Sequence, residues 1–105
     1  MTAVAILAAL LSGLYGTVTR GPVTPVCRAG IPCTAPYAHA TIVFSRLGAT
    51  RQVTTDAKGR YRIGLTPGRW SVRVQNAHFG TKPTAVMVPG DRYVKLNVSV
   101  DTGIR

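Results

Sequence analysis

The chain has 105 residues, enough for one small domain with a modest core. Its 13 Lys and Arg face only 3 acids, for a net charge of +10. That balance excludes chemistry built on clustered carboxylates and favours polyanionic partners such as acidic glycans, lipid surfaces or nucleic acid.

Residues 1–14 read MTAVAILAALLSGL, with an unbroken apolar run from Ala3 to Leu11. The run is too short to cross a membrane, so no transmembrane span is expected, but it fits the core of a secretory leader. No Lys or Arg precedes it and no A-x-A cleavage site follows. The expected organisation is a signal-like segment over 1–14 and a β-domain over 15–105, exported to the periplasm, the cell surface or the medium. A short helix packed on the domain is the alternative reading of the apolar run.

Leu14 to Arg20 reads as a first strand. Gly21 to Tyr37 carries Pro22, Pro25, Pro32 and Pro36, and is expected to be a long loop rather than regular strand. Within it lie Cys27 and Cys33, the only two cysteines. Their spacing is not C-x-x-C and no histidine lies close by, so neither redox catalysis nor zinc is indicated. A local disulfide follows if the chain is exported; two buried thiols follow if it is not.

Ala38 to Arg46 is the second predicted strand, with Ala40, Ile42 and Phe44 on one face, and Thr50 to Thr55 the third, with Val53 inward. Asp56-Ala57-Lys58-Gly59 is a turn in which the carboxylate caps amides and glycine takes a positive φ. Arg60 to Leu65 alternates, with Tyr61, Ile63 and Leu65 inward. After the turn Thr66-Pro67-Gly68, Trp70, Val72 and Val74 point inward. A loop over Asn76 to Lys82, a short strand over Thr84 to Val88 and a last strand over Tyr93 to Val100 complete the pattern. Seven strands at this spacing predict an all-β fold, a seven-stranded antiparallel Greek-key β-sandwich.

The order G-T-V, then P-x-A-x-A-x-I-x-F, then T-D-A-K-G-R-Y-R-I-x-L-x-P-G-R-W-S-V-R-V, resembles the carboxypeptidase regulatory-like domains of the transthyretin-like sandwiches. The resemblance spans Leu14 to Val100, with Trp70 where the family often has Tyr or Phe. It implies a non-catalytic module of exported proteins. Transthyretin-like hydrolases share the architecture, but their terminal Tyr-Arg-Gly-Ser motif is replaced here by Asp-Thr-Gly-Ile-Arg, and only His39 and His78 are present. Starch-binding modules of similar architecture use paired exposed aromatics, whereas Trp70 is expected inside.

Asp56 and Asp91 fall in turns, and no carboxylate pair, phosphate loop or metal motif is evident. No enzymatic activity and no cofactor are therefore expected. One feature points to binding. Arg60, Arg62, Arg69 and Arg73 all alternate outward. If their two strands pair as a hairpin, four guanidinium groups share one face able to hold carboxylates or phosphates. A solvated face that discourages edge aggregation explains the same pattern. Tyr93 is the best candidate for an exposed aromatic, too little for specific nucleic-acid recognition. The leading expectation is an interaction or structural module of the cell envelope with a protein partner. The alternative is a domain for acidic glycans, lipids or other polyanions.

Overall fold

The structure, a computed structural model, describes residues 11–23, 26, 29–30 and 33–103. Ten strands follow one another: β1 (Gly13–Gly21), β2 (Ala35–Pro36), β3 (Thr41–Arg46), β4 (Ala49–Thr54), β5 (Arg60–Gly64), β6 (Gly68–Val74), β7 (Thr81–Lys82), β8 (Ala85–Val88), β9 (Tyr93–Lys95) and β10 (Val98–Asp101). They form two packed sheets, the sandwich expected from the alternation of the sequence. One sheet has the order β4-β3-β6-β8, antiparallel throughout. The other is centred on β1, with β5 and β2 along one side and β9 and β10 along the other; β7 adds to β10.

Within that second sheet β1 runs parallel to β9 and β10 and antiparallel to β5 and β2. The inner faces bury Leu14, Val18, Ile42, Phe44, Tyr61, Ile63, Leu65, Trp70, Val72, Val74, Val88, Val98 and Val100. Val53, Val94 and Leu96, also expected inside, are only partly buried and pack at the margin. Val43 points to the outer face and is still 4% exposed, because the register sets it between the long side chains of Gln52 and Arg73.

Four details depart from the sequence expectation. First, β1 opens at Gly13, ahead of the predicted strand start at Leu14. Leu14 is fully buried and the Ser12 hydroxyl donates to the Leu65 carbonyl, so residues 12–14 are part of the sandwich. The rest of the signal-like segment, residues 1–10, lies outside the described residues. Second, the proline-rich segment does touch the sheet: Ala35 and Pro36 pair with Arg20 and Thr19, at an edge position where proline is tolerated. Third, His39 lies in a turn at φ 57° rather than in a strand. Thr55, buried behind it, closes this corner: its hydroxyl donates to the Tyr37 carbonyl and accepts from the Ala40 amide.

Fourth, the last predicted strand is interrupted at Leu96–Asn97 without losing register. Leu14 faces Val94 and Val18 faces Val98, so the pairing resumes where it would have continued. In a parallel ladder one residue donates and accepts on either side of its partner. Leu96 donates its amide to the Tyr15 carbonyl, but its own carbonyl accepts from the Tyr61 hydroxyl at 2.6 Å. The Thr17 amide is met instead by the Asn97 side-chain oxygen at 3.2 Å. Gly16 is needed there, because a Cβ would overlap the Leu96 carbonyl. Among the described residues, no buried side-chain nitrogen or oxygen lacks a hydrogen-bond partner.

Candidate binding surface

The four arginines singled out in the sequence do not share a face. β5 pairs with β1 in one sheet and β6 pairs with β3 and β8 in the other. Arg60 and Arg62 alternate with buried Tyr61 and Ile63, whereas Arg69 and Arg73 alternate with buried Trp70 and Val72. The pairs therefore project from opposite sides of the sandwich. The reason is the connection. Thr66 and Pro67 carry the chain from one layer to the other rather than folding it back within one. The Leu65 amide is taken by the Ser12 carbonyl, and the Trp70 indole N–H donates to the Thr66 carbonyl across the corner.

Arg60 is also committed locally. Its Nε lies 3.1 Å from an Asp56 carboxylate oxygen, and its amide donates to the other oxygen at 2.9 Å. The Lys58 amide donates to that same oxygen at 2.9 Å. The Arg60 amide holds the Asp56 pKa below its ordinary value; desolvation opposes it, and the Lys58 amide and the Arg60 guanidinium add to the lowering.

Arg62 has a different setting. Its register partner on β1 is Tyr15, and the partner of Tyr15 on the far side is Lys95 of β9. The row Arg62–Tyr15–Lys95 thus crosses three strands on the outer face, with neighbouring strands ~4.8 Å apart. Next to it, Gly13 separates Gly64 from Tyr93. With no side chain at 13, Arg62 reaches over the strand, and its guanidinium carbon lies 4.1 Å from the centroid of the Tyr93 ring. A Cβ at Gly13 would come within 2.7 Å of that ring and 2.9 Å of the Gly64 Cα. This is a cation–π contact that restrains the guanidinium over the ring. Tyr15 is 41% exposed.

The acids do not offset this row. Asp56 engages Arg60, Asp91 engages Arg92, and Asp101 accepts from the Gly103 amide. Among the described residues, neither Arg62 nor Lys95 has a carboxylate partner. The signal for this site was present in the sequence as Tyr15, Gly13, Arg62 and Tyr93. It takes the β1 register to bring them together.

A separate groove at one end of the sandwich is lined by Arg20, Tyr37, Asn76, His78, Phe79 and Asp101, among others. His39 is not among its lining residues, so the two histidines are not brought together there. Among the described residues no three potential metal ligands cluster. Cys33 is described but Cys27 is not, so the expected bridge lies outside the described residues.

A family model for the carboxypeptidase regulatory-like domain matches residues 32–101. The chain belongs to this family. The match opens just ahead of Cys33 and runs to the last residue of β10, so β1 and most of the proline-rich segment precede it. No curated protein matches the chain. The matched stretch covers β2 to β10 and with them Arg62, Tyr93 and Lys95, while Gly13 and Tyr15 of β1 lie ahead of it.

Proposed function

We propose that the chain is an exported, non-enzymatic β-sandwich module that makes its contact, at the cell envelope or outside the cell, through the outer face of the β1-centred sheet. The observation that carries this reading is the Arg62–Tyr15–Lys95 row with Arg62 held against Tyr93. Two cations without acidic partners and two tyrosines are gathered on a sheet face rather than in a cleft. Such a surface suits an extended or flat partner better than an enclosed small substrate.

Export is supported by the apolar run Ala3 to Leu11 and by the cysteine pair, as expected of a β-domain made for an oxidising compartment. Because Ser12 and Leu14 belong to the sandwich, processing falls ahead of Ser12. In the exported protein Cys27 and Cys33 form a local bridge.

The experiment expresses the full chain with a C-terminal tag and fractionates the cells. The tagged protein is expected in the exported fraction, with a sequenced N-terminus at or before Ser12 and no titratable thiol until a reductant is added. A variant carrying Tyr15→Ser, Arg62→Ser and Tyr93→Ser is expected to be exported but to lose envelope retention. Cytoplasmic accumulation would overturn the export reading, and equal retention of the variant would overturn the choice of contact face.

A further inference from the structure

We infer that the ligand of this face is an acidic polysaccharide, a chain of sugar rings bearing carboxylates. The inference rests on the reading that the outer face of the β1-centred sheet is the contact surface. Three observations favour this chemistry. Arg62 lies over the Tyr93 ring, which restrains a guanidinium whose planar fork of donors suits a carboxylate taken in bidentate fashion. Tyr15 is exposed between Arg62 and Lys95, so an aromatic platform lies between two cations along one row. Beside this row, neutral hydrogen-bonding residues occupy the middle of the sheet, where Thr17 faces Asn97 and Thr19 faces Ser99, with Arg60 and Lys82 at the outer ends of those rows. A polyhydroxylated chain with a carboxylate at intervals matches that alternation of ring, charge and hydroxyl.

Other polyanions match it less well. A nucleic acid is held through many phosphate contacts, and this face offers three cations outside the ion pairs, Arg62, Lys95 and, two strands from Tyr15, Lys82, Arg60 being engaged by Asp56. A lipid surface asks for apolar residues beside the basic ones, and the row carries none. The opposite outer face, with Arg69 and Arg73 beside Ser71 and Met87, has the charge without an aromatic ring and serves as an internal control.

The test uses the purified full-length exported protein and sodium polygalacturonate as the probe, followed by calorimetry at low salt and at ~0.15 M salt. Dextran, polyphosphate, duplex DNA and vesicles of phosphatidylglycerol in phosphatidylcholine are run alongside. Binding to polygalacturonate is expected to persist at the higher salt. It should weaken at least ~tenfold in Arg62→Ala and in Tyr15→Ala, and less in Arg62→Lys, which keeps the charge but not the fork. The double variant Arg69→Ser, Arg73→Ser should bind as the wild type does. The buried Trp70 reports by its fluorescence that each variant is folded.

No binding at the higher salt, equal losses in the Arg69/Arg73 variant, or tighter binding of DNA, polyphosphate or vesicles would each overturn the inference. If polygalacturonate fails while the Tyr15, Arg62, Tyr93 variant still loses envelope retention, the polysaccharide is wrong and the contact face stands. If neither measurement responds to the face variants, both fall.

Discussion

The hydroxyl of Tyr61 donates to the carbonyl of Leu96 across 35 residues of chain, and it does so in place of a ladder bond. The carbonyl that would have met the Thr17 amide is turned to the core-side phenol, and Asn97 supplies the missing acceptor with its side chain. Replacing Tyr61 by Phe keeps the ring and removes the donor. The expected loss is about 1–2 kcal/mol, read from the urea midpoint at an unchanged slope. An unshifted midpoint would show that the bond contributes nothing.

The same phenol carries a pH dependence. Burial raises the Tyr61 pKa above the ordinary value near 10. The unfolded chain therefore releases this proton before the folded one does. The contribution to stability is complete below about pH 10 and declines as pH rises toward the folded value. Thermal melts from neutral to strongly alkaline pH should fall more steeply for the wild type than for Tyr61→Phe.

Asp56 gives the opposite sign. Its folded pKa is lowered by the Arg60 and Lys58 amides and the Arg60 side chain, so its support for the turn is present above the ordinary value of 3.8 and lost as pH falls below it. Asp56→Ala is expected to lower the melting temperature at neutral pH. Asp56→Asn keeps an acceptor for the two amides and should lose less, but its melting temperature should no longer carry the acid-side drop that Asp56 contributes.

Leu14 decides where the domain begins. It is fully buried, facing Ile63 and Val94 in the ladder. Leu14→Ala is expected to cost about 2–5 kcal/mol by urea denaturation. A chain that begins at Tyr15 should be less stable still, since it also loses the Ser12 bond to Leu65. A midpoint that ignores both changes would place residues 12–14 outside the sandwich.

Side-chain alternation made the inside of this molecule readable. Tyr61, Ile63, Trp70, Val72 and Val74 are buried because period two assigns each residue to a face. The same period says nothing about which sheet a strand joins. The turn at Thr66-Pro67-Gly68 looks the same in sequence whether it closes a hairpin or crosses between layers, and here it crosses. That ambiguity is what scattered the four arginines. The site on the β1-centred sheet was hidden for a related reason. Tyr15 and Lys95 become neighbours through a parallel pairing, and such pairings leave no local turn to mark them. His39 reads as strand in the sequence because its neighbours alternate, but its positive φ belongs to the corner closed by Thr55.

The contact between Thr17 and Asn97 joins positions 80 residues apart. β1 is flanked on one side by β9 and β10, so the β1-centred sheet has no complete form until those two strands have been made. Such long-range closure slows folding. Until then the sheet stays open, and the Arg62–Tyr15–Lys95 row forms in the same step that seals the core.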